Sequence, residues 1–285
     1  MKNPTDDKKT DCPTESSGAA DRPKSPDSPK KSKCCTGCLA ALFLLGVLFL
    51  LMLPAIQAAR ETANRSFCNG TMKGIGLGLQ NYHHEYGQFP PAYTVDASGR
   101  RLHSWRTLIL PFIVQNEIYD KLRLDEPWDS PHNLAVFKEI DVSAPSLFEM
   151  ITDNTPSLVY QCPSCPWGHD KSYTSYAMVI GPNCVSDGPT SCSREDLAND
   201  CSSTLLVVET TAPIRWYEPK DIDIKTLDRE TSDDEPTIDS FHPGMALSVF
   251  ADGSIQGIKK DMDKEVLRAK IEGRVKNPKS KVSLD

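Results

Sequence analysis

From Cys34 to Ala59 the chain carries no charged residue, and the 19 positions Cys38–Ile56 include twelve Leu, Ile, Phe or Val. At about 1.5 Å per residue, a helix of that length crosses a hydrocarbon core of roughly 30 Å. The twelve apolar residues together favour insertion by about 4–7 kcal/mol. A cleaved signal peptide has a shorter apolar region nearer the start of the chain, and a buried core helix rarely reaches this purity. The pattern then turns amphipathic without a break. Ile56, Ala59, Ala63 and Phe67 recur at helical spacing, as do Ile75, Leu79 and Tyr82. Gly70, Gly74, Gly76 and Gly78 each weaken that second half by about 1 kcal/mol relative to Ala, but allow another backbone to approach closely, so this stretch is expected to pack against the globular body. Phe89-Pro90-Pro91 ends the helix.

Beyond it the periodicity predicts a helical segment from Ser104 through Ile113, broken at Pro111, and a helix over 131–140 started by Asp129-Ser130-Pro131. Strands are predicted at Ser157–Gln161, Tyr173–Ile180 and Thr204–Glu209, with a shorter one at Ile214–Tyr217. Residues 219–240 read as an acidic surface loop with one short helix. Ala246–Ala251 and Ser254–Ile258 flank Asp252-Gly253, which predicts a two-residue hairpin whose turn positions both have φ > 0. A charged helix is predicted over 261–273. The fold class is therefore α+β: a long N-terminal membrane-spanning helix continues as a stalk onto an antiparallel β-rich head. The expected divisions are a disordered tail (1–33), a transmembrane helix (36–57), a stalk and linker (58–103), an α+β domain (104–260) and a charged helix with tail (261–285).

Charge and composition add location. Residues 1–33 contain no Ile, Leu, Val, Phe, Tyr or Trp, and 14 of them are Pro, Ser, Thr or Gly, a composition that cannot offset chain entropy. Lys30, Lys31 and Lys33 precede the span, which predicts a single-pass topology with the N-terminus cytoplasmic and 60–285 periplasmic or extracellular. Residues 60–285 hold 24 Lys and Arg against 33 Asp and Glu, a net charge of −9 that argues against nucleic acid as partner. The expected partners are the bilayer, through the helix, and a protein of the cell envelope.

Six of the ten cysteines, Cys68, Cys162, Cys165, Cys184, Cys192 and Cys201, fall on the expected outer side, and an even count there reads as disulfides. Free structural thiols and a metal site are the alternatives. The metal reading of Cys162-Pro-Ser-Cys165 needs a second pair at finger-like spacing, which Cys184, Cys192 and Cys201 do not supply.

A series of motifs runs in order through about residues 45–260. It begins with Leu53-Pro54-Ala55-Ile56-Gln57-Ala58-Ala59-Arg60-Glu61, then Cys68-x-x-x-Met72-Lys73-x-Ile75-Gly76-Leu77, Asn81-Tyr82-His83 and Phe89-Pro90-Pro91-Ala92-Tyr93. Ser104-Trp105-Arg106, Asp125-Glu126-Pro127-Trp128-Asp129-Ser130-Pro131-His132-Asn133 and Cys162-Pro163-Ser164 follow. Val208-Glu209, Trp216-x-x-Pro219-x-Asp221, and His242 with Asp252-Gly253 after nine intervening residues complete it. Together they resemble the bacterial pilin-like family of unknown function known by its His-x9-Asp-Gly signature, linked by name to prepilin-type processing and to solute-binding proteins. Members with a prepilin leader begin the apolar helix with Gly and Phe-Thr-Leu-Ile-Glu. Here Cys38-Leu39-Ala40-Ala41-Leu42-Phe43 stands instead, so the resemblance implies an uncleaved anchored relative.

Candidate chemistry is sparse. His242 and Asp252 are residue types used in proton transfer, but an intervening strand holds them roughly 20 Å apart at about 3.3 Å per residue. His242, Asp252 and Gly253 therefore read as structural. Asp125, Glu126, Asp129 and His132 form a polar cluster that helix capping partly explains, and Gly74-x-Gly76-x-Gly78 follows no strand and is not a phosphate loop. No catalytic residue, metal ligand or cofactor is assigned, and the binding residues are left open. The leading expectation is a non-catalytic interaction or envelope role. The alternative is an anchored binding protein for a small solute, peptide or metal ion, with Trp105, Trp128, Trp167, Trp216 and the segment 173–176 lining an apolar pocket.

Overall fold

The computed structural model describes residues 34–113, 118–142, 160–167, 170, 172–197, 200–228 and 235–273. The expected tail 1–33, the strand positions 157–159 and the C-terminal residues 274–285 lie outside them. The chain divides into two compact units, Met1–Leu53 and Pro54–Asp285. Both contain part of one helix, α1 (Cys34–Tyr86). In the first unit the large apolar side chains of α1, Leu39 to Met52, are exposed, and the helix is long and apolar enough to cross a membrane.

In the second unit α1 changes role. Cys68, Met72, Ile75, Leu79 and Tyr82 repeat every three or four residues and are all buried, so one face of the helix is a core face. Gly78 has Ile109 and Ile113 against it, and Gly76 has Val249 and the Gly253 backbone, so these two glycines mark the close approaches. The stretch expected to pack against the globular body supplies part of its central core.

That face packs on a five-stranded sheet of order β5-β3-β4-β6-β7, built from β3 (Tyr173–Ile180), β4 (Leu205–Arg215), β5 (Ile222–Asp223), β6 (Met245–Phe250) and β7 (Ile255–Lys259). All pairings are antiparallel except β3 with β5. Strand alternation divides the interior. Tyr176, Met178, Val207, Leu247 and Val249 face the core that contains α1. Ala177, Val179, Val208, Ala246, Phe250 and Ile258 join a second core closed by Leu267 and Ile271 of the C-terminal helix Lys264–Ile271. A register shift between Leu205 and Val207 lets Leu206 and Val207, adjacent in sequence, both join the first core.

The smaller elements lie between Tyr93 and Val142. A hairpin of β1 (Tyr93–Val95) and β2 (Arg101–Ser104) leads into α2 (Trp105–Leu108), α3 (Leu110–Ile113) and α4 (Pro131–Val142). The helical break falls at Ile109 rather than Pro111, because Pro111 sits in the first turn of α3, where no backbone donor is needed. Ser130 caps α4 by accepting from the Asn133 N–H, with Pro131 as the first helical residue.

Three strand expectations change. Tyr160 and Gln161 lie outside any strand, although the Ser175 N–H donates to the Tyr160 carbonyl. The expected strands Thr204–Glu209 and Ile214–Tyr217 are one strand, β4, whose residues 210–213 oppose Ser175 alone in a wide irregularity. Pro213, which has no N–H, is accommodated there. The Asp252-Gly253 turn is not the two-residue type. Only Gly253 has positive φ, at 86°. Its N–H donates to the Phe250 carbonyl, and the Phe250 N–H donates to the Ser254 carbonyl, so the loop is a three-residue turn ending in a left-handed glycine.

Candidate metal centre

Four side chains from four separate segments meet on the α1 side of the sheet: Cys68, Cys162, Glu209 and His242. Their donor atoms all lie within 4.8 Å of one another, and all four residues are buried. Cys68 belongs to the core face of α1. Cys162 opens the Cys-Pro-Ser-Cys turn before β3, closed by a bond from the Cys165 N–H to the Cys162 carbonyl. Glu209 lies two residues beyond Val207 on β4, so its side chain points to the α1 side, with Tyr176 of β3 directly opposite. His242 precedes β6, and its N–H donates to Ser240 Oγ.

The distances are short throughout. Cys68 Sγ is 3.2 Å from Cys162 Sγ. His242 Nε2 stands 3.2 Å from Cys68 Sγ, 3.4 Å from Cys162 Sγ and 4.0 Å from Glu209 Oε1. The other imidazole nitrogen, Nδ1, is 2.7 Å from Glu61 Oε1. Glu61 precedes Cys68 by seven residues, two helical turns, and so shares its face of α1. A proton on Nδ1 shared with Glu61 turns the Nε2 lone pair toward the two sulfurs. The loops are held to α1 as well: Asn64 donates to Ser164 Oγ at 2.9 Å, and Arg65 donates to the Pro243 carbonyl at 2.6 Å.

Glu209 is only half satisfied. Its Oε2 accepts from Ser240 Oγ at 2.6 Å and from the Leu247 N–H at 2.9 Å, while Oε1, facing His242, has no hydrogen-bond partner among the described residues. Burial raises its pKa above the ordinary carboxylate range, against the pull of those two donors. The hydrogen bond with Cys68, then burial, pushes the Cys162 thiol well up. The Tyr176 hydroxyl is fully buried beside Cys68, Glu209 and Cys162, with the Cys68 sulfur within its reach, and burial raises its pKa well above the ordinary phenol value.

Chain membership is decided by extent. The model of the family described as "Protein of unknown function (DUF1559)" matches residues 57–204. The chain belongs to this family. No curated protein and no solved structure matches it. In this DUF1559 chain the matched region contains Glu61, Cys68 and Cys162, while Glu209 and His242 follow it.

The residues singled out from sequence distribute unevenly in the DUF1559 fold. His242 joins the cluster. Asp252 and Gly253 remain in the β6–β7 turn, where Asp252 Oδ1 accepts from the Ser254 N–H and its own N–H donates to the Cys201 carbonyl. The six cysteines are free thiols, and the Sγ–Sγ separation of 3.2 Å between Cys68 and Cys162 exceeds the roughly 2.05 Å of a disulfide. Cys165 lies beside Cys162, Cys184 packs in the second core, and Cys192 is buried in the first with Cys201 against it. The acidic cluster before α4 resolves into exposed pairs, Asp129 with Arg100 and Glu126 with Arg123, and His132 Nε2 contacts the Lys121 carbonyl. Trp105, Trp216, Tyr160 and Tyr176 are fully buried, with Tyr160 packed against both tryptophans. Glu209 and Glu61 were quoted in the motif series but given no role. Their signal is spatial: 94 residues separate Cys68 from Cys162, and 181 separate Glu61 from His242.

Proposed function

We propose that the protein is a single-pass membrane anchor carrying an α+β unit on the extracytoplasmic side, acting through protein contacts in the envelope rather than through catalysis. One observation carries this reading. A single helix contains both an uncharged apolar stretch with exposed side chains and a second half that is core to the folded unit. The folded unit cannot leave the second half of the helix without losing Cys68, Met72, Ile75 and Leu79 from its interior, and the apolar stretch continues the same chain. A long N-terminal helix packed against an antiparallel sheet also supports the pilin-like reading. Lys30, Lys31 and Lys33 before the span support a cytoplasmic N-terminus.

The test is carbonate extraction and protease shaving of spheroplasts expressing the full chain. The expected result is a protein that stays in the membrane pellet and loses its C-terminal region to external protease. Release by carbonate, or full protection in intact spheroplasts, overturns the reading.

The binding alternative narrows on the aromatics. Each tryptophan offered as a solute-pocket lining packs on another aromatic ring: Trp105 on Tyr160, Trp128 on Tyr217, Trp167 on Tyr173 and Trp216 on Phe137. Of solute, peptide and metal ion, the buried cluster favours only the last.

A further inference from the structure

We propose that Cys68, Cys162, Glu209 and His242 form a four-coordinate site for a divalent transition ion, zinc above all, with Glu61 as the outer carboxylate that orients His242. The inference stands apart from the anchoring reading, because it uses only the interior of the Pro54–Asp285 unit.

Geometry comes first. Around a tetrahedral zinc with bonds of about 2.0–2.3 Å, ligand atoms stand roughly 3.3–3.8 Å apart. The cluster's measured separations are 3.2, 3.2, 3.4 and 4.0 Å. Shifts of about 0.6 Å or less bring these four pairs to the expected values, and the two Glu209–sulfur pairs lie within 4.8 Å. Two thiolates, one imidazole and one carboxylate are all ordinary zinc donors, and thiolates exclude magnesium and calcium.

Satisfaction of polar groups comes second. A cluster held only by hydrogen bonds leaves the deeply buried Glu209 Oε1 without a donor among the described residues. Such a group costs free energy when unpaired. An ion resolves this, because Oε1 becomes a ligand. A Cys68–Cys162 disulfide instead draws the sulfurs together and leaves Oε1 as it is.

The outer contacts complete the pattern. Metal-bound histidines ordinarily give their second nitrogen's proton to a carboxylate or carbonyl, the relation of His242 Nδ1 to Glu61 at 2.7 Å. The Ser164 N–H donates to Cys162 Sγ at 3.4 Å, and Ser240 and Leu247 fix the other oxygen of Glu209. Two thiolates and a carboxylate around a dication leave one negative charge, and Arg65 acts on Glu209 from α1. All four positions are taken by buried protein donors, so the site is closed and structural. It ties α1, the loop before β3, strand β4 and the loop before β6 at one point.

The test uses the full-length chain in detergent, purified through a tag without histidines and without chelator, and measured for metal by mass spectrometry. About one zinc per chain is expected. The Cys68→Ser/Cys162→Ser double variant should hold less than a tenth of that, while Cys192→Ser, which alters a buried thiol outside the cluster, should hold the full amount. Because the double variant could fail to fold, wild-type protein reconstituted with cobalt provides an independent readout: tetrahedral visible bands and a thiolate charge-transfer band. Glu61→Gln should keep the site but weaken zinc about 10–100-fold. Folded wild type that neither carries zinc nor gives the cobalt spectrum, a Cys68–Cys162 disulfide in an unreduced digest, or equal zinc in the double variant each overturns the proposal. Unchanged affinity in Glu61→Gln overturns the role given to Glu61.

Discussion

Two buried polar centres lie within the same folded unit, and they are completed differently. At one, Arg106 and Asp221 are both fully buried and pair at 2.8 Å. Arg106 also donates twice to the Tyr176 carbonyl, and Asp221 Oδ1 accepts from Trp105 Nε1 and the Met178 N–H. One cation meets one anion, and the atoms left over, Arg106 Nη1 and Asp221 Oδ2, are one donor and one acceptor. At the other, two thiols, an imidazole and a carboxylate converge with no cationic side chain among them. The first centre is closed by the chain's own charges. The second gathers four potential metal ligands with no counter-charge among them, and on the proposal above a cation from solution completes it.

The comparison breaks most readily at the second centre. A strong chelator should destabilise the full-length protein by at least about 4 kcal/mol, the linkage expected for a ligand present at about 1,000 times its dissociation constant. For a folded unit of this size that is a fall in melting temperature of roughly 8–16 °C, readable by near-ultraviolet circular dichroism in detergent. Zinc, but not magnesium, should restore it. An unchanged melting temperature after metal removal would make both centres self-sufficient and end the contrast.

Asp221→Ala tests the first centre by leaving Arg106 buried without its counter-ion. The expected cost is about 3–5 kcal/mol with bound zinc unaltered, measured by urea unfolding and metal analysis on the same sample. Replacing both partners, Arg106→Met with Asp221→Leu, should cost less than the single change, since no unpaired charge remains. If Asp221→Ala also releases zinc, the two centres form one network, with the Tyr176 strand position as the link.

A sharper comparison runs along α1 itself. Leu79 is fully buried and Leu77 is 60% exposed, two residues away on the same helix. Leu79→Ala should cost about 2–5 kcal/mol and Leu77→Ala less than about 0.5. The membrane-spanning pattern of the first half gives no hint of this difference, because there every side chain is apolar.

Much of the scaffold could be read from local pattern. Strand Tyr173–Ile180 carries its own β-branched and aromatic signature, Ser130-Pro131 announces α4, and the alternation around Asp252-Gly253 locates the last hairpin. The finer turn geometry could not be read, because whether Asp252 also turns left-handed depends on how many residues the loop takes up. Nor could the metal cluster. Cysteine spacing is informative when ligands come in close pairs, and Cys162-x-x-Cys165 looks like half of such a set. Its neighbour in the fold is Cys68, 94 residues away, brought near because the second half of α1 packs into the core. Strand β6 between His242 and Asp252 carries Asp252 off to the turn. The functional neighbours of His242 come from α1, the loop before β3 and β4, which no spacing along the chain reveals.

His103 gives the smallest effect and separates acid sensitivity from the metal. It is fully buried on β2, with Nε2 3.3 Å from the Arg123 carbonyl and Nδ1 without a partner. Burial lowers its pKa below the ordinary histidine value, outweighing the neighbouring carbonyls of Arg123 and Glu126 and the charge of Asp125. The folded protein therefore binds the proton less readily than the unfolded chain. The stability that neutral His103 protects is present in full above about pH 6.5, and is lost as pH falls from there toward its lowered folded-state pKa. His103→Gln keeps a donor for the Arg123 carbonyl but cannot titrate. Both proteins carry the same thiolate and imidazole cluster, so its own proton dependence cancels in their difference. The variant should lose less stability than wild type between pH 7.5 and 5.5, and the two curves should run parallel above pH 7.5. Parallel curves throughout would mean that His103 is protonated without cost, and would assign the acid lability of the fold to groups other than His103.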